Sequence, residues 1–129
     1  MPLTLSMILA VGAGGALGAV MRFITGSVLL TVLGARFPWG TLTVNVIGSL
    51  IMGIAAGLFA RHMADTAPEW RAFLMVGVLG GFTTFSAFSL DVSVLMERGQ
   101  MTAAGLYIAS SVLVSIAALF AGLSLSRTL

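Results

Sequence analysis

Four stretches of this chain are each long and apolar enough to cross the hydrocarbon core of a bilayer, and they leave little else to fold. A crossing takes roughly 20 consecutive apolar residues. Such windows fall at about 5–33, 42–60, 73–95 and 103–125 of the 129 residues. Hydrophobic residues make up 59% and charged ones 8%, against roughly 45–50% and about 25% in soluble domains, so lipid is the solvent. The expected fold class is an all-α membrane protein with four transmembrane helices in one domain, 1–129. No basic segment precedes the first apolar run, which is therefore read as a retained span and not a cleaved signal peptide.

The connections are short: Gly34 to Gly40 (GARFPWG), Arg61 to Arg71 (RHMADTAPEWR) and Glu97 to Met101 (ERGQM). Pro38 and Pro68 break the helices there, and Trp39 and Trp70 suit the membrane interface. Four spans put both termini on one side, with Arg61, Arg71 and Arg127, and leave Arg36 and Arg98 on the other. Orientation follows the arginine asymmetry of short loops, and three against two is nearly no asymmetry. Insertion both ways up is therefore expected, and two oppositely inserted copies would form an inverted-repeat homodimer of the kind transport proteins use. Six arginines scattered singly make no basic patch for nucleic acid. The absence of cysteine removes disulfides and thiolate chemistry.

Glycines occupy packing positions. Gly14, Gly18 and Gly26 share a stripe of the first span with Arg22, and Gly53 with Gly57 forms a GxxxG in the second, the spacing that lets helices approach closely in lipid. Gly12, Gly14 and Gly18 mimic a dinucleotide fingerprint, but no strand precedes them and no acid follows before Asp65.

Each polar side chain inside a span needs a local partner or a task. Asn45 lies one turn before Ser49 on one face of the second helix, and admits either a helix-to-helix hydrogen bond or a pathway role, since its amide can donate to an anion. Tyr107, Ser111 and Ser115 stand at i, i+4 and i+8 and so stack on one face of the fourth, as a hydroxyl track or as serines bonded back to their own helix. Ser110 lies off that stripe, as a packing serine. Arg22 can snorkel to the interface or set the sign of a nearby vestibule in favour of anions. Asp91 is a helix-end residue or a partner for such an arginine.

Gly80-Gly81 followed by Thr83-Thr84 would favour a break in the third helix, leaving backbone groups without intrahelical partners. In lipid such backbone survives where it is buried in protein, lines a cavity or holds an ion. Phe85 and Phe88, i and i+3 on the restarted helix, would face the same way, for core packing or for an anion met by ring edges of partial positive charge.

GGFTTFSAFSLD (Gly80 to Asp91), WGTLTVNVIGS (Trp39 to Ser49) and GALGAVMRF (Gly15 to Phe23) together resemble the Fluc or CrcB family of fluoride channels, in order and spacing through the spans. The resemblance implies an antiparallel, dual-topology homodimer in the cytoplasmic (inner) membrane, surrounded by lipid. It further implies two pores that export fluoride passively from the microbial cytoplasm. Phe85 and Phe88 would be the pore phenylalanines, with Thr84 and Ser86 of the same motif beside them. Asn45 would be the pore asparagine, Tyr107, Ser111 and Ser115 would continue the polar track, and Arg22 would belong to the vestibule. The carbonyls of Gly80 and Thr83, two from each chain, would hold a structural sodium ion at the dimer centre.

Rival classes lack their chemistry. A small multidrug-resistance-like four-span exporter needs a membrane-embedded carboxylate, and the first two spans contain none. An intramembrane hydrolase needs a buried Ser-His pair, whereas the one histidine, His62, falls in a loop. The expectation is a channel and no enzyme.

Overall fold

Helix α1 (Leu5–Leu33) begins where the Thr4 hydroxyl accepts the Met7 amide at 3.3 Å, and ends at Gly34, whose φ of 84° and ψ of −178° suit glycine and turn the chain out of the helix. The computed structural model describes residues 2–129. Helix α2 (Trp39–Arg61) starts directly after Pro38. The third span opens with Pro68 at the first helical position of α3 (Pro68–Arg71), where its missing amide costs nothing. It widens into a π-helical segment (Ala72–Leu79) and tightens again as α4 (Gly80–Phe82). After three residues outside helical geometry it continues as α5 (Ser86–Glu97). A turn through Gly99, φ 76°, leads to α6 (Met101–Ser126).

Four helical stretches, Leu5–Leu33, Trp39–Arg61, Pro68–Glu97 and Met101–Ser126, are long and apolar enough to span a membrane, and no strand occurs among the described residues. The protein is multi-pass. Three of these helices overrun the windows expected from hydropathy, because Trp39, Arg61, Glu97 and their neighbours carry the helix beyond the hydrocarbon into the interface.

Small apolar clusters lie inside, Phe88, Leu95, Ala104 and Tyr107 in one and Ala55, Phe59 and Leu79 in another, while many large apolar side chains of α1 and α6, such as Phe23, Leu106, Leu113 and Phe120, face outward. Lipid as solvent permits that outer apolar surface, and close backbone packing at small residues brings the helices together. Helix α2 lies along α6, and α1 along the π segment and α4. In the first seam a side chain on Gly53 would strike the Leu119 carbonyl, and one on Gly122 would come within 3.1 Å of Gly53 Cα. In the second, a side chain on Gly77 would come within 2.9 Å of Gly14 Cα and one on Gly81 within 2.6 Å of the Gly15 carbonyl. Gly18 is closed off by the Val78 carbonyl, and Gly40 meets Gly26. The glycine stripe of α1 and the GxxxG of α2 are thus both consumed inside one chain.

Gly80-Gly81 are not where the third span leaves helical geometry. Gly80 keeps φ −65° and ψ −36°. The departure comes at Thr83, whose φ −88° and ψ 159° are extended, and the two halves join as one bent span. The reason is packing: Gly81 gives up its side chain to lie against α1, whereas the threonines can stabilise unwound backbone with their hydroxyls.

Candidate functional site

Asn45 decides the local structure at the bend. Its Nδ2 donates to the Thr84 carbonyl at 2.9 Å, and its Oδ1 accepts from the Thr84 amide at 2.8 Å. A residue taken out of the helical ladder thereby regains both backbone bonds from one side chain of α2. The Thr83 hydroxyl donates to the Leu79 carbonyl at 2.9 Å, closing the end of α4. The Thr84 hydroxyl accepts from the Ala87 amide at 3.1 Å, capping the start of α5, and lies 3.3 Å from the Ser86 hydroxyl. Arg22 reaches inward, its Nε donating to the Gly81 carbonyl at 3.0 Å. The guanidinium is engaged with a carbonyl-rich helix end, where a cation is electrostatically favoured.

Some groups stay without hydrogen-bond partners among the described residues. They include the carbonyls of Gly80 and Thr83 at the end of the first half-span, and the amides of Ser86 and Phe88 in the first turn of α5. A helix end rich in free carbonyls carries partial negative charge, and a start rich in free amides partial positive charge. The bend sets the two side by side.

Alongside it lies a cavity of about 460 Å³. Helix α2 contributes Asn45 and Ser49, the bend Thr83, Thr84 and Phe85, α5 Phe88, and α6 Ser111 and Ser115, with Gly80 at its margin. Ser89, Ser93, Ser110 and Ser126 donate to a carbonyl of their own helix or its cap. Ser111 and Ser115 do not: their hydroxyl oxygens are buried with no partner, which costs free energy unless something polar occupies the cavity. A second cavity, about 270 Å³, is lined by Arg22, Ser27, Thr41 and Val44. Thr84 borders both cavities.

The two phenylalanines do not face alike. Phe85 precedes the restarted helix and is 76% exposed, whereas Phe88 is 8% exposed. Their ring centroids lie 5.4 Å apart, tilted by 53°, and both border the larger cavity. Tyr107, fully buried, stands outside it. Its ring packs 5.1 Å from Phe88, and its hydroxyl donates to Asp91 Oδ2 at 2.9 Å, so Asp91 pairs with a tyrosine and not with an arginine. Ser86 is exposed and touches the site only through Thr84. Sequence reasoning passed over Gly48: a side chain there would collide with Thr83 Cγ2 and lie 3.3 Å from the Phe82 ring. Its spacing of three from Asn45, which puts both on one helix face, is the signal that was available.

Four helices long and apolar enough to cross a membrane, with an open cavity that carries Asn45, Ser49, Ser111 and Ser115 beside an asparagine-clamped bend, define a small membrane protein of the transport class. The chain belongs to the CrcB family: the family model described as "CrcB-like protein, Camphor Resistance (CrcB)" matches residues 9–123. It is 62% identical over 124 residues to the "Fluoride-specific ion channel FluC" of Rhodospirillum centenum, covering 96% of this chain and 98% of that one. It is 53% identical over 122 residues to the protein of the same name from Rhizobium meliloti, covering 95% and 97%. It is 50% identical over 124 residues to "Fluoride-specific ion channel FluC 1" of Nitrobacter hamburgensis, covering 96% and 98%.

Proposed function

We propose that this protein is a fluoride-selective channel of the cytoplasmic membrane, through which fluoride leaves the cell passively. The observation that carries the reading is the cavity lined by Asn45, Phe85, Phe88 and two unpartnered serine hydroxyls, in a chain so similar to proteins named for fluoride conduction. Fluoride is small and strongly hydrated, so a narrow path must replace its water with several weak donors. Ser111 and Ser115 offer free O–H groups, the start of α5 offers amides, and Phe85 and Phe88 offer ring edges. Asn45 acts first as the clamp on Thr84; its second Nδ2 hydrogen remains for an anion. Tyr107 is held by Asp91, which puts it behind Phe88 as support for the track. Arg22 keeps the smaller cavity electropositive while its grip on Gly81 prevents it from following the ion. Conduction in this scheme moves no proton and needs no titrating group.

The working unit is an antiparallel homodimer with two pores. The chain's own packing gives Gly80 no reason to be glycine: it is exposed, and a side chain there would meet only the Met75 carbonyl at 3.8 Å. A second copy supplies the reason. The unpartnered carbonyls of Gly80 and Thr83 fit a hard cation, and with their two-fold mates they would hold a sodium ion that stabilises the assembly.

Efflux of fluoride from liposomes, with chloride as control, tests the function. Phe85→Ile and Phe88→Ile should assemble normally by size-exclusion chromatography yet lose roughly tenfold or more of the flux, since the ring quadrupole is gone while apolar bulk remains. Near-normal flux in both would return the rings to core packing. For the dimer, single cysteines at Ala35 and Ala67 should each react from both membrane faces; labelling from one face only would refute dual insertion.

A further inference from the structure

We infer that the cleft between the α1–α2 loop and the end of α5 is a binding site for the headgroup of an anionic phospholipid. The cleft, about 260 Å³, is bordered by Arg36, Arg98 and Trp39 at its mouth and by Leu29, Leu30 and Val94 along its wall. Arg98 donates through Nη1 to the Ala35 carbonyl at 3.3 Å, which ties the end of α5 to the loop that carries Arg36, and both arginines line the cleft. Neither guanidinium is paired with a carboxylate among the described residues. Asp91 also borders the cleft, but its Oδ2 accepts from Tyr107. Two arginines against one aspartate leave a net charge of +1, which complements a phosphodiester of charge −1.

The occupant is a lipid and not free phosphate because of where the cleft opens. Trp39, 41% exposed, is the first residue of α2, at the end of a span where tryptophan meets headgroups. Leu30, 56% exposed, continues the cleft wall onto the lipid-facing side of α1, where an acyl chain would lie. Arginine forks suit phosphate oxygens bidentately.

The full-length protein is reconstituted in equimolar phosphatidylglycerol and phosphatidylcholine and extracted in mild detergent, and the lipid retained per chain is measured by mass spectrometry. Phosphatidylglycerol should be enriched, and Arg36→Gln/Arg98→Gln should reduce that enrichment roughly 30-fold, from about fivefold per arginine. Arg36→Gln alone leaves the Arg98–Ala35 bond intact, so it guards against misfolding and should show about a fivefold loss. Arg61→Gln/Arg127→Gln, at the opposite end of the bundle, should change nothing. Enrichment untouched by the cleft variants, or lost equally in the opposite-end pair, overturns the assignment. So does competition by inorganic phosphate, which would mark a free-anion site. Reduced fluoride efflux with lipid retention unchanged overturns it too, by assigning the arginines to the ion path.

Discussion

The α2–α6 seam and the bend at Thr83–Phe85 solve one problem in opposite ways. Both bring backbone close to backbone in a medium that offers no water to satisfy stray polar groups. In the seam every amide stays in its own helix, so the helices need only contact, and glycine gives it: Gly53 against Leu119, Gly122 against Leu50 and Gly53, Gly57 against Ser126. At the bend the amides leave the helix, and side chains must replace the lost bonds. Asn45, Thr83, Thr84 and Arg22 do so. The seam ends up tight, the bend hollow and edged with polar groups. Small residues in a membrane bundle thus determine where it is closed, and hydrogen-bonding side chains determine where it is open.

Substitutions should separate the two regions by what they damage. Gly53→Val puts a branched side chain into the Leu119 carbonyl and should cost about 3 kcal/mol of stability, read as thermal unfolding in detergent, with the surviving folded protein conducting normally per molecule. A stable Gly53→Val protein would mean that the seam is looser than the glycine contacts imply. Asn45→Leu strands the amide and carbonyl of Thr84 and should cost about 2 kcal/mol; here flux should fall further than the folded fraction does. Flux proportional to folded protein would make Asn45 a purely structural clamp. The smallest effect on stability belongs to Ser111→Ala and Ser115→Ala. Each removes a buried hydroxyl that has no partner, so stability should change by less than about 1 kcal/mol, if anything upward, while fluoride efflux drops several-fold. A marked loss of stability would show that these hydroxyls support the fold and not the ion.

Much of this was legible in the chain. Charge scarcity and four apolar windows determine an all-helical bundle, because in lipid a helix satisfies its own backbone wherever its neighbours lie. Spacing alone determines that Gly53 and Gly57 share a face, as do Tyr107, Ser111 and Ser115, because helical period is a local property. The motif from Gly80 to Asp91 carries the family resemblance. Which helix each glycine face meets, however, depends on how the spans are arranged, and periodicity holds no information about that. For the same reason the departure from helix falls at Thr83 and not at Gly80-Gly81: contact with α1 takes Gly81, and Asn45, almost forty residues earlier, waits at Thr84. Tertiary structure alone decided that Phe85 turns outward while Phe88 is buried, that Tyr107 is held by Asp91, and that Ser111 and Ser115 are left unpaired. These are consequences of which neighbour lies within about 3 Å, a distance that only the packed molecule defines.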